Sequence, residues 1–151
     1  ESKNLIKKSD NGAEFFTTQV LYNAENIKNV IHKYQNSCNE KITFPRRILL
    51  SFAPVSSKKN IDFLRWLGVD IPKNTEIYLN GRPGSMIDRS LDVSIEILNE
   101  VLDFIRENKL KVPIGLNVEH IMSYNFQSSV EMLQELSKIY REFCIKTDVY
   151  N

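Results

Sequence analysis

Apolar positions along the chain fall into two alternating kinds of segment: short runs of aromatic and β-branched residues, and longer stretches that repeat every three or four positions. Glu14-Phe15-Phe16-Thr17-Thr18-Gln19-Val20-Leu21 is of the first kind and predicts a strand. Asn23 is placed to cap a helix in which Ile27, Val30, Ile31 and Tyr34 share a face. Arg47 to Ala53 is a nearly continuous apolar run, the pattern of a strand buried in a parallel sheet, and Pro54 ends it. Ser56 or Ser57 caps the next helix, whose apolar face is Ile61, Leu64 and Leu67 and whose stop is Gly68. A short helix is expected from about Pro72, then a loop at Asn80-Gly81-Arg82-Pro83-Gly84.

A long helix is predicted from Ser85 to Glu107, with Leu91, Ile95, Leu98, Leu102 and Ile105 as its stripe. Pro113 opens a third strand, Ile114 to Glu119, in which Gly115 marks a close backbone approach. A last helix is expected over Gln127–Phe143, turning Val130, Leu133, Leu136 or Ser137, and Tyr140 inward. Residues 3–11 read as the tail of a helix closed by Asn11 and Gly12. Strands separated by helices imply right-handed crossovers and a parallel sheet, hence an α/β fold. A doubly wound fold of this length would carry about five strands. Three strands, preceded by a helix already in progress, predict one part of a larger barrel or sheet whose earlier strands lie outside this sequence.

Composition narrows the function classes. The 151 residues carry 20 Lys and Arg against 19 Asp and Glu, a net charge of +1, which speaks against a polybasic nucleic-acid binder. No run of eighteen apolar residues predicts a membrane span, and the first residues do not read as a signal peptide. Cys38, in a polar segment read as a loop, and Cys144, at a helix end, are expected to be free thiols of a cytoplasmic protein. With only His32 and His120 and no metal-ligand spacing, no metal site is expected.

In parallel α/β folds ligands bind at the C-terminal ends of the strands. Gln19 stands at the first such end, where its amide offers a donor and an acceptor to a planar heterocycle or simply satisfies the strand mouth. The second end is Ser51-Phe52-Ala53-Pro54-Val55-Ser56, whose small residues leave room for a ligand or make a turn. At the third, Asn117 and Glu119 share a face; Glu119 either lines the interior or reaches solvent. Lys3 and Lys7 share a helix face with Lys8 and Asn4 nearby, a solvated face unless a phosphate lies above it. A glycine-rich phosphate loop does not occur.

The run from Asn4 to Gln19, a basic helix followed by Gly12-Ala13 and a strand through Thr18-Gln19, resembles methylenetetrahydrofolate reductase. Ile48 to Ser56 with Pro54-Val55-Ser56, the stretch Leu67-Gly68-Val69-Asp70-Ile71-Pro72, and Gly115 to Glu119 resemble later segments of that family in the same order. The resemblance implies a parallel (β/α)8 TIM-type barrel of which this chain is roughly the C-terminal half. It implies FAD as cofactor and NAD(P)H as electron donor, with hydride passed to a methylene-tetrahydrofolate-like pterin. Lys8 falls at the FAD diphosphate lysine, Asn4 and Lys7 at neighbouring cofactor positions, and Glu1 at an acidic position near the ribose. Gln19 falls where the family contacts pterin and nicotinamide in turn. Asn60 stands where the family often has glutamine, and Leu64 where it often has a ligand-stacking phenylalanine; with Glu119 these complete the expected substrate side.

The family's catalytic acid lies on earlier strands, so no catalytic residue is expected on this chain. The expected partners are a reduced folate or related pterin and the missing N-terminal half of the barrel or another copy of the chain, with no nucleic acid or membrane. The alternative is a non-catalytic barrel fragment or accessory subunit that completes another chain.

Overall fold

The structure is a computed structural model that describes residues 2–81 and 84–147, with the side chains of residues 2 and 3 excepted. Arg82 and Pro83 of the expected loop, and Glu1, lie outside the described residues. The elements run α1 (Ser2–Asp10), β1 (Phe15–Val20), α2 (Ala24–Lys41), β2 (Arg47–Phe52), α3 (Lys58–Trp66), α4 (Lys73–Leu79), α5 (Met86–Glu107), β3 (Ile114–Val118), a 3-10 turn (Ser123–Asn125) and α6 (Phe126–Thr147). The three strands form one parallel sheet in the order β1-β2-β3.

Local signals account for the element ends. Asn23 Oδ1 accepts the Glu25 N–H at 3.0 Å and caps α2. Ser85 and Asp88 form a reciprocal capping box at the start of α5. Gly68, at φ +84°, reverses the chain after α3, a conformation that a side chain would resist.

Strand order then decides the layering. Consecutive parallel strands joined by right-handed crossovers put their helices on one side of the sheet. Ile48, Leu50 and Phe52 of β2 point to that side and are fully covered, as are Val20 and Ile114. Leu98, Val101, Ile31 and Leu136 complete the core from α5, α2 and α6. The opposite side carries Phe15 and Thr17 of β1, both exposed, Arg47, Leu49 and Ser51 of β2, and Gly115 and Asn117 of β3. No described helix covers it.

Several sequence expectations shift once the elements pack. Cys38 is not in a loop: α2 continues to Lys41 and Cys38 is fully buried. It extends the stripe Ile27, Ile31, Tyr34 at helical spacing, a continuation masked by its polar neighbours Asn36, Ser37 and Asn39. Leu67 ends α3 and is 44% exposed rather than inward. On α6 Leu136 is buried as expected and Val130 and Tyr140 are half-buried, but Leu133 is exposed and Ser129 and Met132 are buried in its place; Met132 meets Ser94 of α5, so the inward face is turned by about a fifth of a turn from the expected one. On α5, Leu91 and Ile95 are only half-buried, because Val93, Ile97 and Val101 face the neighbouring helices instead.

Gly115 is the close approach that the sequence suggests. A Cβ there would stand 2.5 Å from Leu49 Cδ2 on the uncovered side of the sheet.

Candidate functional site

The ends of β1 and β2 do not run in even register. Thr17 pairs with Leu49, but Val20 pairs with Ser51, so β1 carries one extra residue at Thr18-Gln19. Bulges of this kind re-aim side chains and occur next to active sites. Thr18 Oγ1 accepts the Ser51 N–H at 2.9 Å, taking the place of a main-chain acceptor. Gln19 is turned outward beside it: its Nε2 donates to the Leu67 carbonyl at 3.2 Å, and its Oε1 accepts the Val20 N–H at 3.0 Å. Deeper in, Asn117 Nδ2 donates to Ser51 Oγ at 3.0 Å, joining β2 and β3 on the same uncovered side.

A cleft of about 560 Å3 opens along this part of β1. β1 and the residues after it line the cleft from Phe16 to Tyr22, with Ile48 of β2 beside them; α1 contributes Asn4, Leu5 and Lys8, α2 and its cap contribute Asn23, Asn26, Ile27 and Val30, and the α3–α4 turn contributes Gly68 and Asp70, so apolar residues of the helix side share the cleft with polar ones. Asn4 and Lys8 share a helix face at a spacing of four, and both are exposed. Lys8 forms no ion pair among the described residues, which leaves its charge available to an anion. Asn23 Nδ2 donates to Asp70 Oδ2 at 3.1 Å, closing one rim of the cleft. Behind the rim, Arg65 spans Glu76 with two hydrogen bonds of 3.0 and 2.7 Å, and the guanidinium holds the Glu76 carboxyl below the usual carboxylate range.

The structure therefore brings together three of the expected site residues, Asn4, Lys8 and Gln19. Lys7 is exposed on α1 but does not line the cleft. Asn60 is buried, and its amide is committed: Oδ1 accepts from Ser56 N–H and Oγ at 2.9 and 3.0 Å, and Nδ2 donates to the Tyr124 hydroxyl at 3.0 Å. Leu64 has no exposed surface; it packs in the core below α3 and presents nothing to a ligand. Glu119 lies one residue beyond β3, half-buried and outside the cleft, and its N–H donates to the Phe52 carbonyl at 2.7 Å. Asn23, Asn26 and Asp70 are cleft residues that sequence reasoning passed over. Asn23 carried a visible signal only as a helix cap, and Asp70 reaches the site through a turn whose position depends on packing.

Among the described residues no cluster of His, Cys, Asp and Glu could hold a metal ion, and no helix is long and apolar enough to cross a membrane.

No family model matches the chain, and no curated protein matches it. One solved structure that is similar is an uncharacterized protein from Clostridium thermocellum that binds two copies of 5-methyl-5,6,7,8-tetrahydrofolic acid. The two share 26% sequence identity and superpose with a TM-score of 0.78 over 91% of this chain and 48% of that one. The chain thus spans about half the length of the protein it matches. That similarity and the three-stranded parallel sheet agree on an α/β fold.

Proposed function

We propose that this chain binds a reduced folate in the cleft beside Gln19, as one part of a larger (β/α) barrel. The observation that carries the reading is the bulged end of β1, which sets an outward-turned amide, a free lysine and an asparagine around one cleft. A pterin ring presents donors and acceptors along its edge, which an amide matches on both counts. The anionic glutamate end of a folate, or a cofactor diphosphate, suits the Lys8 ammonium. The solved relative that binds 5-methyl-tetrahydrofolate supports the ligand class. The uncovered side of the sheet, with Phe15 exposed on it, supports the barrel, since parallel sheets are normally covered on both faces.

The finer reading is a flavin-dependent reductase resembling methylenetetrahydrofolate reductase. The chain's residues fit FAD in part: Asn4 and Lys8 stand together on the cleft, Lys7 stands on the same helix outside it, and Glu1 lies outside the described residues. Bound there, the flavin would carry hydride from NAD(P)H to the pterin, with Lys8 neutralising the diphosphate and Gln19 orienting the ring. The accessory reading, a barrel part that completes another chain without catalysis of its own, is favoured by the placement of Asn60, Leu64 and Glu119 away from the cleft.

Calorimetric titration of the purified natural protein with 5-methyl-tetrahydrofolate tests the ligand. Gln19→Ala is expected to weaken binding about two- to ten-fold, the range of one net hydrogen bond. Undiminished affinity in that variant removes Gln19 from the site. An absorbance spectrum with anaerobic NADH separates the two finer readings: a flavin band that bleaches supports the reductase, and its absence after FAD is supplied supports the accessory part.

A further inference from the structure

We propose that the Leu67–Gly68 turn is a positioning device for Gln19, fixing which end of its amide faces a ligand and coupling occupancy of the cleft to the turn between α3 and α4. The inference rests on the folate-cleft reading for its ligand, but its mechanical half stands on the free protein.

The argument begins with the chemistry of the amide. A carbonyl oxygen accepts and cannot donate, so Leu67 admits only the NH2 end of Gln19. The Val20 N–H donates, so it admits only the oxygen. The two partners together allow a single orientation. One N–H and one lone-pair direction of the amide remain, so Gln19 can offer a ligand one donor and one acceptor in a set order. A glutamine free to flip would offer either order and discriminate less between ring edges.

The turn that supplies the carbonyl is itself held. Gly68 takes φ +84°, and its N–H donates to the Arg65 carbonyl at 2.9 Å; the Val69 N–H donates to the Leu64 carbonyl at 3.0 Å. Asp70 is tied to Asn23 at the end of β1, and Arg65 is tied to Glu76 across the turn. Gln19 at the end of β1 and Asn23 in the connection to α2 therefore grip one short turn from two points. A ligand that accepts the remaining Gln19 N–H and draws the amide toward itself lengthens the bond to the Leu67 carbonyl and loosens that grip, while the Val20 N–H still holds the oxygen end and keeps the order of donor and acceptor. Trp66, the chain's one tryptophan, precedes Leu67, is 79% exposed, and stacks on Phe63 with ring centroids 5.9 Å apart. It reports on the turn without lining the cleft.

The test is hydrogen exchange of residues 66–70 in the full chain, free and with 5-methyl-tetrahydrofolate as probe, alongside Trp66 fluorescence and calorimetry. In the free protein, Gln19→Ala and the isosteric Gln19→Glu, which removes the donor, should both speed exchange at Gly68 and Val69 roughly two- to ten-fold. The wild type should show the same acceleration, and a Trp66 shift, on binding the probe. Unchanged exchange in both free variants overturns the device, whatever the probe does. Probe binding by calorimetry with no response of the turn or of Trp66 overturns the coupling while leaving the folate reading intact. Failure of the probe to bind, with the free variants still loosening the turn, removes the folate reading and the ligand-driven half together, and leaves the Gln19–Leu67 tie established.

Discussion

The two sides of the sheet are built from the same three strands and behave as different materials. On the helix side, Ile48, Leu50 and Phe52 are buried to within 2% of completely, and the tyrosine that closes the end of β1, Tyr22, is buried with them. On the other side, Phe15, Thr17 and Arg47 meet solvent, Asn117 is hydrogen-bonded to Ser51, and Leu49 lies against Gly115. The difference teaches where each residue's contribution lies. Burial of apolar area stabilises the helix side, whereas the open side leaves both polar and apolar groups, Thr17, Arg47 and Phe15 among them, in contact with solvent.

Substitutions can sharpen or break that contrast. The largest effect is expected from Leu50→Ala, which should lower the unfolding free energy by about 2–5 kcal/mol in denaturant titration. Thr17→Ala, on the open side of the neighbouring strand, should stay within about 0.5 kcal/mol. Comparable losses at the two positions would mean that the open side is packed in solution.

A second expectation concerns alkaline pH. The Tyr22 hydroxyl donates to the Ala53 carbonyl at 2.8 Å, and burial raises its pKa well above the ordinary value of 10.0. The folded chain thus holds Tyr22 neutral where the unfolded chain would ionise it. Stability from this source is complete below pH 10.0 and declines as pH rises above it, by up to about 1.4 kcal/mol per pH unit. Unfolding curves across that range should be steeper in pH for the wild type than for Tyr22→Phe; equal slopes would show that the hydroxyl is not shielded.

Gly115→Ala should cost about 1 kcal/mol by thermal unfolding, because the new methyl group meets the end of the Leu49 side chain, which can turn toward the open side. A loss beyond about 3 kcal/mol would indicate that Leu49 has no room to move and that the open side is closed over. The smallest effect is expected at the rim. Lys8→Glu should leave stability unchanged and weaken anion binding in the cleft a few-fold, more at low salt than at high. Salt-independent binding in both proteins would place the ligand's charge elsewhere.

How much of this was legible varies by residue. The caps Asn23 and Ser85, the stop at Gly68 and the close approach at Gly115 were all readable, since each depends on a few neighbouring residues. Gln19 was legible as a strand-end amide, but its setting was not. The extra residue in β1 appears only when Val20 is paired with Ser51, a partner 31 positions away. Asn60 and Leu64 were assigned to a ligand through family position; their local sequence carries no sign that Tyr124 would occupy the amide or that the core would cover the leucine.

The sequence by itself determined the elements, their order and the parallel α/β character of the sheet, because helical period, strand composition and capping are local properties of the chain. Only the tertiary structure decided which side of the sheet stays open, which faces of α5 and α6 turn inward, and that Asn4, Lys8 and Gln19 meet in one cleft. Those outcomes depend on register and packing between segments far apart in the chain, where a single-residue bulge or a fraction of a helical turn redirects the side chains that follow.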